Sequence, residues 1–167
     1  MKKNLIYFIV AVMTFMVSCN KDYTEFYSDN RPEIPVTYEG ALTEGFNPYI
    51  KVPLATNTFT LTLTIPESSS RKIKEISKVL AGGTSINAGG VRAGTYITNP
   101  IAGAGNKVVF NTSVSEFRSK SAANEKIIKD FENSTTLKTQ EIAFMFLVTL
   151  DNGQEIIPVQ ARVWLTK

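Results

Sequence analysis

Residues 142–165 read IAFMFLVTLDNGQEIIPVQARVWL, two apolar-rich segments on either side of a polar tetrapeptide. Asn152-Gly153 in such a setting is the strongest short-range signal for a β-hairpin, and it favours a type I′ turn. The resulting register sets apolar residues face to face: Val148 with Ile157, Phe146 with Val159, Phe144 with Ala161 and Ile142 with Val163. A slip of one residue would destroy this agreement, so the sequence predicts an antiparallel hairpin in that register. Pro158 predicts that the second strand is bulged or lies at an edge, because proline cannot donate to a ladder.

Other segments indicate further strands. Residues 58–65 alternate threonine with Phe59, Leu61, Leu63 and Ile65, which is typical of a strand with one buried and one solvated face. Shorter strands are predicted at 34–38, 72–80, 96–97 and 107–110, the first of them at a sheet edge because it contains Pro35. Residues 81–106 hold seven of the ten glycines and predict turns and a long loop.

One short helix is predicted at residues 121–131, where Ile127, Ile128 and Phe131 share a helical face. Several short strands with turn signals and this single helix predict a mainly β fold. The predicted architecture is an antiparallel β-sandwich with one short helix.

The N-terminus predicts a secretory signal peptide over residues 1–18. Lys2 and Lys3 precede a largely apolar run at 5–17, which is shorter than the roughly 20 residues that a spanning helix needs. The run ends in Phe15-Met16-Val17-Ser18-Cys19, which resembles a bacterial lipobox, so Cys19 is the expected lipidation site. The alternative is an incidental thiol within an ordinary signal peptide or membrane anchor. Cys19 is the only cysteine of the chain, so an internal disulfide is impossible.

The residues that follow Cys19 suggest where the protein is located in the cell. Lys21 and Asp22 resemble the short lysine-plus-acidic signal that sends lipoproteins of the Bacteroidetes to the outer face of the outer membrane, although Tyr23 replaces a second acidic residue. We therefore expect an outer-membrane lipoprotein displayed on the cell surface, with the periplasmic face as the alternative. Residues 19–33 are expected to form a lipidated tether, and residues 34–167 the folded domain.

Composition argues against several functions. Loss of Lys2 and Lys3 with the signal peptide lowers the formal charge from +3 to +1, so the basic excess that nucleic-acid binding needs is absent. The chain has no histidine, the commonest general base and transition-metal ligand. Lipidation would also occupy the only thiol. Two carboxylates would suffice for a glycosidase, but any chain of this size contains them. We expect no enzymatic activity, no cofactor and no metal.

Two motifs that point to ligands are incomplete. Residues 103–107, GAGNK, lack the Gly-Lys-Ser/Thr ending of a phosphate-binding loop and the third glycine of a dinucleotide fingerprint. Asp151 at the hairpin turn suggests a calcium ligand, but it has no second acidic residue at ligand spacing. Neither motif therefore indicates a binding site.

Trp164, the only tryptophan, is the most informative single side chain. Strand alternation puts it on the same face as Gln160 and Arg162, opposite the buried set. An aromatic ring beside polar groups can stack on a sugar ring, so Trp164, Arg162 and Gln160 are the candidate ligand-binding residues. The alternative is that Met145 and Leu147, which share this face, form a second core layer under a loop or helix.

These features together resemble the small accessory lipoproteins of Bacteroidetes polysaccharide-utilisation systems. The run 144–165 looks like the closing hairpin of their immunoglobulin-like domains. The resemblance implies an immunoglobulin-like sandwich that captures glycan or serves as an accessory subunit of a glycan-uptake complex. Its expected partners are the membrane, through the lipid, and a polysaccharide or an outer-membrane transport complex. The alternative is a protein–protein interaction module, such as an adhesin, a pilus-like subunit or an assembly component, without a small ligand.

Overall fold

The computed structural model describes residues 32–167. The predicted signal peptide, the lipidation of Cys19 and the export residues Lys21 and Asp22 lie outside the described residues and stay predictions. Ile34–Lys167 form one compact unit. Among the helices of the described range, none is long and apolar enough to cross a membrane.

The described part of the chain contains ten strands and three α-helices. The strands are β1 (Thr37–Tyr38), β2 (Leu42–Glu44), β3 (Asn47–Pro53), β4 (Thr58–Thr64), β5 (Ile73–Gly82), β6 (Ile101–Ala102), β7 (Lys107–Ser113), β8 (Thr139–Leu150), β9 (Glu155–Ile156) and β10 (Ala161–Thr166). The helices are α1 (Ala88–Val91), α2 (Val114–Ser119) and α3 (Ala122–Asn133). The fold is therefore mainly β, as predicted, but the prediction of a single helix is wrong.

The larger sheet is mixed. Its strand order is β2-β3-β10-β8-β5-β6, and β9 also pairs with β8. β3 and β10 run parallel, with Ile50 beside Val163 and Val52 beside Leu165, while the other neighbours are antiparallel. The prediction of a purely antiparallel arrangement is thus wrong for this pair. Alternation fixes which side chains of a strand are buried, but it does not fix the direction of its partner.

The smaller sheet has the order β1-β4-β7, with antiparallel pairing throughout. In β4, Phe59, Leu61 and Leu63 are buried, while Thr58 and Thr60 are exposed, which confirms the prediction from alternation. The strands predicted at 72–80 and 107–110 are confirmed as β5 and β7, and the first strand lies at a sheet edge as predicted.

Both sheets turn their apolar faces into one hydrophobic core. Phe144 of β8 lies at its centre, with ring centroids 5.7 Å from those of Phe59 and Phe110 in the smaller sheet. Tyr96 and Phe117 contact the same ring from outside the sheets, at 5.5 and 5.9 Å. Such tilted and edge-on contacts add to the free energy of apolar burial. Phe144 therefore links the two sheets and the helical segment.

The sequence analysis did not predict helix α2, because the helix is only six residues long. Its first turn nevertheless contains a sequence pattern that is typical of a helix start. Ser113 caps it by accepting a hydrogen bond from the Glu116 amide at 2.9 Å, the Ser-x-x-Glu pattern of a capping box. Val114 and Phe117 are buried in the core. The predicted helix is confirmed as α3, which Ser121 caps in the same way.

The hairpin at the end of the chain has a three-residue loop. The Gly153 amide donates to the Leu150 carbonyl at 3.0 Å, and the Leu150 amide donates to the Gln154 carbonyl at 2.9 Å. With Gly153 at φ 84°, this is a type I turn followed by a bulge glycine. The predicted type I′ turn is wrong, since it needs positive φ at Asn152, and Asn57 is the only non-glycine with positive φ in the described range.

The longer loop shifts the register beside the turn. Val148 pairs with Ile156 instead of the predicted Ile157. The predicted pair of Phe146 with Val159 does not form, because residues 157–160 lie outside the strands and Val159 is 54% exposed. The prediction is therefore wrong in the half of the hairpin next to the turn.

Farther from the turn, the predicted register is confirmed. Ile142 pairs with Val163 and Phe144 with Ala161. One additional residue in the segment 157–160, between β9 and β10, restores the predicted register. Pro158 lies in this segment, and the sequence had predicted a bulge or a sheet edge at that position.

We expect Gly153→Val to lower the free energy of unfolding by about 1–3 kcal/mol, because a β-branched residue is strained at positive φ. The measurement is urea denaturation followed by circular dichroism. Gly153→Asn is the matched control, since asparagine tolerates this backbone conformation far better. Equal stability of the valine variant and the unmodified protein would refute the turn assignment.

No strand forms at residues 96–97, where one was predicted, and Tyr96 instead lies in the loop between β5 and β6 that contains α1. The Tyr96 amide donates to the Val79 carbonyl at 3.2 Å. Gly94 makes this approach possible, because a Cβ there would lie 2.5 Å from the Val79 carbonyl oxygen. The loop thus packs directly against β5, and Tyr96 enters the core without forming a ladder.

Two buried tyrosines have hydrogen-bonded hydroxyl groups. Tyr38 donates to the Val159 carbonyl at 2.9 Å, and the Tyr96 hydroxyl bonds the Thr112 hydroxyl at 2.6 Å. Burial raises the pKa of both tyrosines well above their usual value. A folded-state pKa above the unfolded one contributes stability that is complete below about pH 10 and is lost as pH rises further.

We therefore expect the free energy of unfolding to fall steeply above about pH 10, and the phenolate absorbance of both tyrosines to develop only with unfolding. Urea denaturation at a series of alkaline pH values measures this loss. The double variant Tyr38→Phe, Tyr96→Phe should flatten the dependence, and Tyr49→Phe, at a partly buried position, is the control. Equal slopes for the double variant and the unmodified protein would contradict the account.

Candidate functional site

The candidate site lies on the outer face of the larger sheet, where β3, β10 and β8 are adjacent. Alternation along β10 sends Val163 and Leu165 into the core and Arg162 and Trp164 outward. The sheet therefore presents a row of aromatic and charged side chains on the face that turns away from the core.

Trp164 forms an aromatic pair with Tyr49. Their ring centroids lie 4.1 Å apart and the rings are nearly parallel, at 19°. The parallel pairing of β3 with β10 sets Tyr49 beside Arg162 and Lys51 beside Trp164. The Lys51 ammonium lies 5.8 Å from the indole centroid, within cation–π range. The predicted platform is thus a partly covered pair of rings, and Trp164 itself is partly buried.

Arg162 and Glu141 form an ion pair beside these rings. Arg162 Nη1 lies 3.0 Å from Glu141 Oε2, and the two side chains are 30% and 34% exposed. An ion pair this exposed contributes at most about 1 kcal/mol, so its main effect is to hold a guanidinium and a carboxylate in fixed positions. Both groups keep hydrogen-bonding capacity for a ligand.

Gln160 forms hydrogen bonds with Arg162 and with the loop after β5. Its side chain is buried, and Nε2 donates to the carbonyls of Thr84 and Ile86, each at 3.1 Å. Its Oε1 accepts from Arg162 Nε at 3.3 Å. Gln160 therefore ties the loop after β5 to Arg162, and both hydrogens of its amide are already donated within the protein.

Two depressions flank the ion pair. A cleft of about 170 Å³ is lined by Asn47, Tyr49, Glu141, Arg162 and Trp164. A wider and more open depression of about 680 Å³ is lined by residues 83–85 and 139–141, with Ile127 and Arg162. Glu141 and Arg162 line both, so the ion pair forms the boundary that the depressions share.

In the described part of the chain, the indole N–H of Trp164 is the one buried side-chain polar group with no hydrogen-bond partner. Such a group costs about 1–3 kcal/mol relative to a satisfied one. Its ring lines the smaller cleft. An acceptor that gained access to this N–H would therefore bind with an advantage.

Of the three residues predicted for the site, Arg162 and Trp164 line the smaller cleft, whereas Gln160 is buried and lines neither of the two depressions. The sequence also singled out Met145 and Leu147 on this face. These two form a second small core with Val91 of α1. The alternative expectation of a second core layer thus holds for Met145 and Leu147, whereas Trp164 is not part of that cluster.

Sequence reasoning missed Tyr49, Glu141 and Asn47. Residues 47–53 do alternate, with Tyr49 and Lys51 outward, but prolines at both ends masked the pattern. The pairing that brings Tyr49 to Trp164 joins strands more than a hundred residues apart, and no local signal specifies it.

The arrangement is suited to binding. Glu141 is the only carboxylate among the residues that line the two depressions, whereas glycoside hydrolysis ordinarily uses a pair. Within residues 32–167, no group of three or more acidic, histidine or cysteine side chains could hold a metal ion. The chemistry on offer is aromatic stacking together with hydrogen bonds from a guanidinium, a carboxylate and amides.

Comparison with known proteins finds no family model, no curated protein and no solved structure that matches this chain.

Proposed function

We propose that this chain is a non-enzymatic outer-membrane lipoprotein whose folded domain captures glycan at the cleft beside Trp164. The observation that carries the glycan assignment is the stacked Trp164–Tyr49 pair next to the Arg162–Glu141 ion pair. Sugars present apolar ring faces and many hydroxyls, so they match an aromatic surface bordered by fixed donors and acceptors.

The location and partners follow from the N-terminal sequence. The lipobox at Cys19 and the residues Lys21 and Asp22 favour lipid anchoring at the cell surface. The partner consistent with a cell-surface location is a polysaccharide, or an outer-membrane transport complex that receives the polysaccharide. Two sheets that share one core support a β-sandwich, and we infer an immunoglobulin-like arrangement from the resemblance of the closing hairpin.

The test is affinity gel electrophoresis of residues 20–167 through gels that contain a β-glucan, a mannan, a xylan, an α-glucan or a polygalacturonate. We expect retardation by at least one of these polymers. Failure of every polymer to retard the protein would contradict glycan capture and would favour binding to a protein partner.

With the polymer that retards the protein, we expect Trp164→Ala to weaken binding by about tenfold or more, because central aromatic contacts dominate such interfaces. The fold should survive, since Trp164 lies outside the main core. Val109→Ala, at an exposed position on the smaller sheet, is the matched control. Equal retardation of the Trp164 variant and the unmodified protein would remove Trp164 from the site.

A protein–protein interaction module is the second candidate, and β7 is the observation that favours it. This strand is seven residues long and forms one edge of the smaller sheet, with Val109 45% exposed. An edge of this length can accept a strand from a partner. Cross-linking on intact cells tests this function, and Val109→Lys should abolish a cross-link made through this edge.

A further inference from the structure

The two depressions beside the ion pair offer more than a single sugar site. Building on the proposed function, we propose that they form one continuous groove that binds a linear, uncharged oligosaccharide of more than one unit. The shared lining residues Arg162 and Glu141 carry this inference, because each depression ends at the same ion pair.

The groove runs across the strands. It begins at β3 with Tyr49, crosses β10 and β8 at the ion pair, and ends at Thr84 and Ser85 in the loop after β5. Neighbouring strands lie about 4.8 Å apart, so the path from β3 to β5 covers about 14 Å. A single pyranose ring fills only part of such a path, which therefore suits a short chain.

The two ends differ in chemistry. The Tyr49 end is aromatic, whereas the far end is lined by the polar residues Thr84, Ser85 and Gln140. Gln160 fixes the far wall through its hydrogen bonds to the loop carbonyls. A chain could thus stack one ring against the aromatic pair and extend its hydroxyls along the polar end.

The charges at the centre favour an uncharged chain. The Arg162 guanidinium already has the Glu141 carboxylate as its partner at 3.0 Å. A uronic acid placed there would have to displace that carboxylate or lie beside it, and like charges repel. Sugar hydroxyls can donate to Glu141 and accept from Arg162 without separating the pair.

The experiment uses the full-length chain in detergent and ladders of one to six units of cello-, manno-, xylo- and malto-oligosaccharides, with oligogalacturonates as the acidic ladder. Affinities are measured by calorimetry. We expect binding of one neutral ladder to strengthen by about tenfold or more between the single sugar and the longer members, with weaker binding of the acidic ladder.

Ser85→Leu, a larger side chain without an aromatic ring, tests the far end directly. This side chain is exposed in a loop, so the change should block the wider depression without unfolding the domain. We expect the longer oligosaccharides to lose their advantage, while binding of the single sugar stays unchanged. Ser70→Leu, at an exposed position in the loop between β4 and β5, is the matched control.

The outcomes separate the groove from the proposed function. Sugar binding that does not strengthen with length, that is unaffected by Ser85→Leu or that favours the acidic ladder would overturn the groove and leave glycan capture standing. Binding of no ladder and no polymer would overturn both proposals.

Discussion

Replacing Phe144 with alanine should lower the free energy of unfolding by about 3–5 kcal/mol. The side chain is fully buried and its ring contacts Phe59 and Phe110 of the smaller sheet. It also contacts Tyr96 and Phe117. Truncation removes apolar burial and leaves a cavity among four aromatic rings that cannot all collapse into it.

The measurement is urea denaturation followed by tryptophan fluorescence and by circular dichroism. Because native domains are only about 5–15 kcal/mol stable, Phe144→Leu is included as a milder change that should retain the fold. Val109→Ala, at an exposed site, should change stability by less than about 0.5 kcal/mol. A Phe144→Ala variant as stable as this control would contradict the single shared core.

Replacing Cys19 with alanine should abolish membrane attachment altogether. Each buried methylene of an acyl chain contributes about 0.8 kcal/mol, so two or more chains hold a protein firmly at a bilayer. We expect the unmodified chain to incorporate labelled fatty acid and to sediment with membranes. The Cys19→Ala variant should do neither, because the lipid has no other thiol to join.

The control for this change is Ser28→Ala, which alters the predicted tether and spares the lipobox. It should be labelled and retained like the unmodified protein. Normal retention of the Cys19→Ala variant would refute the lipoprotein assignment and would support an uncleaved hydrophobic anchor.

Local sequence signals predicted much of the fold. Strict alternation in residues 58–65 identified β4, and the shared apolar face of Ile128 and Phe131 identified α3. The hairpin register far from the turn followed from apolar pairing of Ile142 with Val163. These features depend on neighbours in sequence, so a single chain contains the information.

The failures involve choices that local patterns leave open. Asn152-Gly153 is compatible with a type I turn and a bulge glycine as well as with a type I′ turn, and the structure uses the former. The parallel pairing of β3 with β10 joins distant segments, so Tyr49 could not be assigned to the site in advance. The Ser113-x-x-Glu116 pattern, in contrast, was a local helix-start signal that could have revealed α2.

The most direct test of glycan capture uses the indole N–H of Trp164. Trp164 is the only tryptophan, so an ¹⁵N-labelled chain gives one indole cross-peak that needs no further assignment. Among residues 32–167 its N–H has no hydrogen-bond partner, and its ring lines the cleft. On titration with the polysaccharide fragment that binds in gels, we expect this indole cross-peak to shift saturably. The backbone amide cross-peaks of Tyr49 and Arg162 should shift with it. Saturable binding that leaves all three resonances in place would contradict the assignment of the glycan site to this face of the sheet.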